Sequence, residues 1–389
     1  MPIEALRRIH IPLNLPFVNG TVFEYLKEVF DSGKLGGDGV VGKAVEQQLC
    51  QLFSVKHALL TTSCTHALEM AMMMIGIKPG EEVMIPSFTF VSTANAIIRA
   101  GGTPIFCDID DRTCTIDISD VEQKITKKTR AVIPVHYAGV SPDMDEINRI
   151  AKAHHIIVVE DAAQGVNAKY KGRYLGTIGD MGAYSFHDTK NYVSGEGGAF
   201  VTDNESIARR AEIIREKGTN RANFLRGEVD KYTWVELGSS YVLSEILAAV
   251  LKHQLDKLDM IQERRRHIHF LYVEGLKDLE TQEKLRLPII PEYCESNYHI
   301  FYILLHNEVE RNRVMRRLKE FGIGSAFHYV PLHSSPYALK ALGTKDVKLP
   351  VTDRISGTLL RFPIYPQLED ASVQYVIEKV REVLKQRMS

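Results

Sequence analysis

Lys190 closes the run Tyr184-Ser-Phe-His-Asp-Thr-Lys190, in which Tyr184, Ser185 and Phe186 read as the end of a strand. Gly195, Gly197 and Gly198 then turn the chain into a second apolar run, Ala199–Val201. Ligands gather at the carboxyl end of an α/β sheet, and a lysine walled there by apolar strands can lose its proton and attack a carbonyl. Taken alone, Lys190 is one of 48 basic side chains, and a solvated loop lysine is the plainer reading. Its company changes that. Ile156-Ile-Val-Val-Glu160 is a continuous apolar strand that runs into Asp161-Ala-Ala-Gln164-Gly165. A carboxylate at the end of a buried strand is costly unless it meets a cation.

An aspartate that keeps a pyridine nitrogen protonated and a lysine that forms a Schiff base are what pyridoxal phosphate chemistry requires. Asp161-Ala-Ala-Gln164, Ser185-Phe-His-Asp-Thr-Lys190-Asn and Gly195-Glu-Gly-Gly198 resemble the signature of the DegT-type sugar-nucleotide aminotransferases, within the fold-type I superfamily of pyridoxal phosphate enzymes. The similarity runs from Ser32-Gly33 to Tyr329-Val-Pro-Leu-His333. The resemblance implies pyridoxal 5'-phosphate as cofactor, with Lys190 as Schiff-base lysine and proton shuttle and Asp161 on the ring nitrogen. It places Gln164 on the ring hydroxyl, Phe90 stacked on the ring, and Ser185 with the Cys64–Thr65 turn on the phosphate. Arg221, Tyr329 and His333 would face substrate.

The same resemblance implies a nucleotide sugar and glutamate as the two substrates and a homodimer as the working unit. In Gly238-Ser-Ser240-Tyr241 a serine stands where many relatives supply an asparagine to the neighbouring subunit's phosphate, so Ser240 would make that contact through a hydroxyl. Through His136-Tyr-Ala-Gly139, Lys217-Gly-Thr-Asn-Arg221 and Lys231-Tyr-Thr-Trp234 the chain is most similar to members that convert dTDP-4-keto-6-deoxy-D-glucose to dTDP-4-amino-4,6-dideoxy-D-galactose for surface polysaccharides. Another sugar-nucleotide 4- or 3-aminotransferase is the nearest alternative. Dehydratases of the family carry histidine in place of the Schiff-base lysine, which Lys190 argues against. A non-catalytic regulatory protein that binds the cofactor is disfavoured by the lack of a DNA-binding module or basic stripe.

Positioning these residues takes an α/β scaffold. From Ala58 onward, seven short β-rich runs alternate with helical stretches: Ala58–Thr61, Glu82–Pro86, Pro104–Asp108, Ala131–Val135, Ile156–Glu160, Gly182–Phe186 and Ala199–Val201. This grammar predicts a mainly parallel seven-stranded sheet covered by helices on both faces. Thr61-Thr-Ser-Cys-Thr-His66 passes from strand into helix, so the amides near Cys64 and Thr65 stand at a helix N-terminus that favours a phosphate, or is capped by Ser63 or Thr65. Leu243, Ile246, Leu247, Val250, Leu251, Leu255 and Leu258 keep helical spacing and predict one long helix ending in Glu263-Arg-Arg-Arg-His. That helix would link a large domain, 1–255, to a smaller C-terminal α+β domain, 256–389.

With 389 residues, 44% of them hydrophobic, the chain can bury a large core. Its 48 basic and 49 acidic residues leave a net charge of −1, so no overall field attracts nucleic acid or an anionic membrane, and an anionic substrate must be held by local groups. Five cysteines without CxxC spacing read as reduced thiols of a cytoplasmic protein. The opening Met-Pro-Ile-Glu-Ala-Leu-Arg-Arg lacks an apolar core, and no apolar run approaches the roughly 20 residues of a membrane span.

Three patterns tempt other readings. Gly37-Asp-Gly-Val-Val-Gly42 spells GxGxxG, but no strand precedes it, so it is not a dinucleotide fingerprint; the resemblance suggests a mobile loop bordering the active site. Asp108-Ile-Asp-Asp111 lacks the glycine and glutamate of a calcium loop and reads as a polar strand exit. The pairs His154–His155 and His267/His269 lack a third ligand at a useful spacing and read as solvated. The polar stretch Asn220–Arg226 reads as a loop whose two arginines suit a phosphate or a partner subunit.

Overall fold

The computed structural model describes residues 10–385, and the opening octapeptide read above lies outside them. The seven expected runs are the seven strands of one sheet: β1 (His57–Thr61), β2 (Glu82–Pro86), β3 (Thr103–Cys107), β4 (Thr129–Val132), β5 (Ile157–Asp161), β6 (Met181–Ser185) and β7 (Gly198–Thr202). Their order is β1-β7-β6-β5-β4-β2-β3. β7 runs antiparallel to both neighbours, and every other pairing is parallel. The strand ending furthest from expectation is β4, at Val132 instead of Val135. Pro134 has no N–H to give the ladder, so only an isolated bridge, Val135 to Asp161, continues the pairing.

Strand alternation sends side chains to two different cores. Val83, Ile85, Leu59 and Phe200 face α3 (Cys64–Ile75), α4 (Val91–Arg99) and α7 (Glu205–Arg215). Ala58, Leu60, Ala199 and Val201 face the opposite side, under α2 (Val40–Phe53) and α9 (Glu245–Leu255). Farther along that side, Met84, Val132 and Val158 pack against Met144 and Ile147 of α6 (Met144–His154). With helices on both faces, both sets of side chains must be apolar, which is why these strands read as continuous hydrophobic runs.

A separate apolar cluster occupies the C-terminal third. It joins α10 (Leu258–Thr281), β8 (Phe301–Leu304), α11 (Glu308–Glu320), β9 (Leu359–Phe362) and α13 (Asp370–Lys385), with Ile11 from the N-terminal segment. The long helix expected from Leu243 is two helices, parted at Asp256–Lys257, where Lys257 leaves helical geometry at φ −113° and ψ 13°. The apolar stripe is continuous, but its two ends serve different cores. Leu251 and Leu255 pack with α2, while Ile268, Tyr272 and Leu276 pack with β8 and β9.

Four further expectations change. His269 is buried on α10 instead of solvated, with its ring against Phe301 and Tyr298; His267 is exposed and bonds Asp370. Asn220–Arg226 contains a short helix, α8 (Arg221–Leu225). Asp108 is a clasp: it accepts from the amides of Val351 and Thr352, capping α12 (Pro350–Thr358). The Gly37–Gly42 motif is pinned, because the amides of Gly39, Val41 and Gly42 all donate to the carboxylate of Glu245. A Cβ at Gly39 would sit 2.5 Å from that carboxylate, so a side chain there would push Glu245 away from these amides.

Candidate active site

The carboxyl ends of β1, β5 and β6 and the start of β7 lie along one edge, since Thr61 and Ser185 both pair with Gly198 and Asp161 pairs with Ala183. Over this edge opens a cavity of about 540 Å³, in the range of small-ligand sites. Cys64, Thr65, Phe90, Asp161, Gln164, Ser185, Lys190 and Tyr329 all line it, so eight of the eleven residues singled out in the sequence converge here.

Asp161, 5% exposed, ends β5. Its Oδ2 accepts from Thr93 Oγ1 at 2.8 Å and its Oδ1 from the Ala163 amide at 3.2 Å. Burial pushes its carboxyl above the usual range, against the opposing pull of those two donors and of Lys190 and His136. Behind it Glu160, fully buried, is satisfied by His136 Nε2 and by the amides of Gly176, Ile178 and Gly179. Lys190 follows β6 in a loop closed by the bonds from Lys190 N to His187 O and from Asp188 N to Gly195 O. Its amine has no hydrogen-bond or ion-pair partner among the described residues, and burial pushes its pKa down. Desolvation drives the lysine toward the neutral amine, the state in which it is a nucleophile.

Along the same cavity, Ser63 caps α3 by accepting from the His66 amide, leaving the first turn beside Cys64 and Thr65 open to the cavity. Gly198 makes that approach possible: a Cβ there would meet Cys64 N at 2.4 Å. Phe90 caps no core and is 59% exposed over the opening. Gln164 is fixed at both polar ends, accepting from the Ala138 amide at 2.8 Å and donating to Tyr329 Oη at 2.9 Å.

Three sequence-singled residues stand apart. His333 is buried and does not line the cavity; its Nδ1 lies 2.8 Å from Ser87 Oγ and its Nε2 faces Asp353, so its imidazole is occupied inside the protein. Arg221 begins α8, 4.0 Å from Asp38, and Ser240 is exposed in a bridge with Glu216; neither reaches the cavity of its own chain. Three cavity residues carried no motif. Arg361 of β9 donates through Nη1 to His328 Nε2 at 2.8 Å, forms no ion pair among the described residues, and leaves its buried Nε unbonded. His328 is held neutral, pushed down to about 2 by burial and by Arg361, and its Nδ1 reaches Tyr137 Oη at 3.3 Å. His299 approaches from just before β8.

The pattern of the DegT/DnrJ/EryC1/StrS aminotransferases matches residues 18–381. The chain belongs to this family. It is 35% identical over 386 residues to the spore coat polysaccharide biosynthesis protein SpsC of Bacillus subtilis, covering 97% of this chain and 98% of that one. Its structure matches the aminotransferase TlmJ of Streptoalloteichus hindustanus with a TM-score of 0.89 at 30% identity, over 97% and 99% of the two chains. It also matches the PLP form of the sugar aminotransferase Spr1654 of Streptococcus pneumoniae, described as putative, with a TM-score of 0.90 at 25% identity, over 98% and 100%. The chain is therefore a sugar aminotransferase dependent on pyridoxal phosphate. The site fits that cofactor: it has an unpartnered amine, a buried carboxylate able to face a ring cation, an exposed aromatic ring, and a helix N-terminus drawn close by a glycine.

Proposed function

We propose that this enzyme transfers the amino group of glutamate to C4 of dTDP-4-keto-6-deoxy-D-glucose, giving dTDP-4-amino-4,6-dideoxy-D-galactose. The reading is carried by the meeting of an unpartnered Lys190 with the buried Asp161 in one cavity of about 540 Å³. Bound there, pyridoxal phosphate supplies an electron sink next to the nitrogen being transferred. Asp161 would hold a proton on the ring nitrogen through its carboxylate. Ser185 and the amides at Cys64 and Thr65 would take the phosphate, Phe90 would stack on the ring, and Gln164, already fixed by Ala138 and Tyr329, would orient the ring hydroxyl. Lys190 Nζ, once free, moves the proton from the α-carbon of the donor.

An α-amino acid as donor, the class to which glutamate belongs, is supported by Arg361. A buried guanidinium without an acidic partner is expensive, and a carboxylate ligand offsets that cost. Arg361 also lies within electrostatic reach of Lys190, and an amino acid's carboxylate is only two bonds from its amine. The choice of sugar rests on the resemblance through His136–Gly139, Lys217–Arg221 and Lys231–Trp234. In this reading the larger domain ends at residue 255, beside the break between α9 and α10, and two chains pair so that Arg221 and Ser240 serve the neighbour's site. The test is NMR of the product formed from dTDP-4-keto-6-deoxy-D-glucose and glutamate. Nitrogen on C4 with galacto configuration is expected; nitrogen on C3, a gluco product, or no product from cofactor-saturated protein sinks the assignment.

A further inference from the structure

We propose that His299 is a positioning residue for Lys190: its Nε2, kept free of a proton by the hydrogen-bond order of Asn191 and Asn297, is the acceptor to which the lysine side chain, unbonded in the arrangement described above, turns its N–H when released from the cofactor. This rests on Lys190 being the reacting amine. The unusual feature is how firmly one imidazole is held beside a lysine that has no partner of its own.

The tautomer follows from the donors around it. Asn191 Nδ2 donates to the Asn297 carbonyl at 2.8 Å, so Asn191 Oδ1 is the atom 2.9 Å from His299 Nδ1. An amide oxygen only accepts, so Nδ1 carries the hydrogen and Nε2 carries the lone pair. Turning the Asn191 amide over would set its oxygen against the Asn297 carbonyl oxygen, two acceptors face to face. Asn297 is itself fixed, since its Nδ2 donates to the carbonyls of Gln164 and Val166 and its Oδ1 accepts from the His299 amide. With Nδ1 turned to Asn191 and His299 lining the cavity with Lys190, Nε2 is the nitrogen left to face the amine.

The segment that carries the ring is over-determined. Arg265, 2% exposed, spends its guanidinium on the carbonyls of Tyr298 and His299, at 3.2 and 2.7 Å. Tyr298 sits at φ 53°, an uncommon region for a bulky residue, which persists only where its surroundings enforce it. The groups facing the pair leave the ring neutral. Asp161 and Cys64 face Lys190 from β5 and α3, while Arg361, His328 and Arg265 surround His299 with Lys190 itself, and burial with these cations pushes the imidazole well below its ordinary pKa. A neutral acceptor stabilises the ammonium, whereas an imidazolium would oppose it, so the two cases shift Lys190 in opposite directions.

The experiment uses the full chain freed of cofactor. Nitrogen-15 NMR of histidine-labelled protein should show His299 protonated on Nδ1 alone, and His299→Gln assigns the signal. In parallel, the pH dependence of reductive methylation at Lys190 is followed by mass spectrometry, with Lys190→Ala confirming the modified site. His299→Phe should lower the Lys190 midpoint by about one pH unit, a roughly tenfold change in the ratio of free amine to ammonium, and His299→Gln, which keeps an acceptor, should recover much of it. An unchanged or raised midpoint, equal behaviour of the two variants, or a proton on Nε2 overturns the proposal. Should His299→Phe fail to fold, His299→Leu, which also lacks an acceptor, takes its place against His299→Gln, and the wild-type tautomer still decides. A turnover-competent Lys190→Ala would instead defeat the parent reading and leave these readouts standing.

Discussion

Asp161 shows how much a single carboxyl depends on what faces it. Burial raises its pKa, and Thr93 Oγ1 and the Ala163 amide, with the more distant charges of Lys190 and His136, are what oppose that rise. A protonated ring nitrogen would supply a facing charge and pull the pKa back down. Asp161→Asn is therefore expected to bind cofactor yet turn over on the order of a hundredfold more slowly, if the charge pair contributes about 3 kcal/mol to the transition state. Steady-state rates within a factor of two of the parent protein would contradict the role. His269 is a titration of another kind, pushed down to about 4 by burial on α10, with its Nδ1 buried and unbonded. Its folded pKa lies below the unfolded value near 6.5, so the folded chain binds fewer protons there. That stability is complete above about pH 6.5 and is lost as pH falls toward 4, by up to about 1.4 kcal/mol per unit. His269→Leu should flatten the fall in urea midpoint between pH 7 and 4.5 relative to the parent protein; parallel curves would show that His269 does not contribute.

The elements were legible where one rule acts locally. Strands buried on both faces announce themselves as apolar runs, and Asp161 closes one of them while Lys190 lies in the loop that follows another. What depends on distant chain was not legible. Leu255, Leu258 and Ile261 continue one helical stripe across the break and pack in a single core, and only from Ile268 onward does α10 turn to the C-terminal cluster. Arg361 lies in Leu-Leu-Arg-Phe, a strand sequence without a motif, and becomes a site residue only because β9 brings it over the sheet edge. The Gly37–Gly42 motif has the shape of an anion site, yet its anion is Glu245, 206 residues from Gly39. Three amides donating to one buried carboxylate make Glu245 the cap of α2. Glu245→Gln keeps the shape but loses the charge and turns an amide donor toward those N–H groups. It is expected to cost about 2–4 kcal/mol in urea unfolding. A loss under about 0.5 kcal/mol would show that the carboxylate is not what holds the loop.

At the scale of the whole molecule, the chain leaves one region apolar where a monomer would have it polar. After α8, Trp234 is 75% and Leu237 71% exposed, and the exposed ring of Tyr232 meets that of Phe224 in α8 at a tilt of 55°. Val40, at the start of α2, is 83% exposed. Exposed apolar residues gathered in one segment mark an interaction surface. The same segment holds Arg221 and leads to Ser240, which find no anion in their own chain's cavity. A two-fold pair is the commonest way for one chain to complete another's site, because it sets two equivalent sites at one interface. Lys190→Ala and Arg221→Ala should each be inactive for different reasons, one lacking the amine and the other the arginine lent across the interface. Mixed after subunit exchange, some hybrid dimers would hold one site with both residues intact, and activity should return in part. Exchange proven by mass spectrometry without any recovery, or a monomer by light scattering that is fully active at the assay concentration, would defeat the shared site.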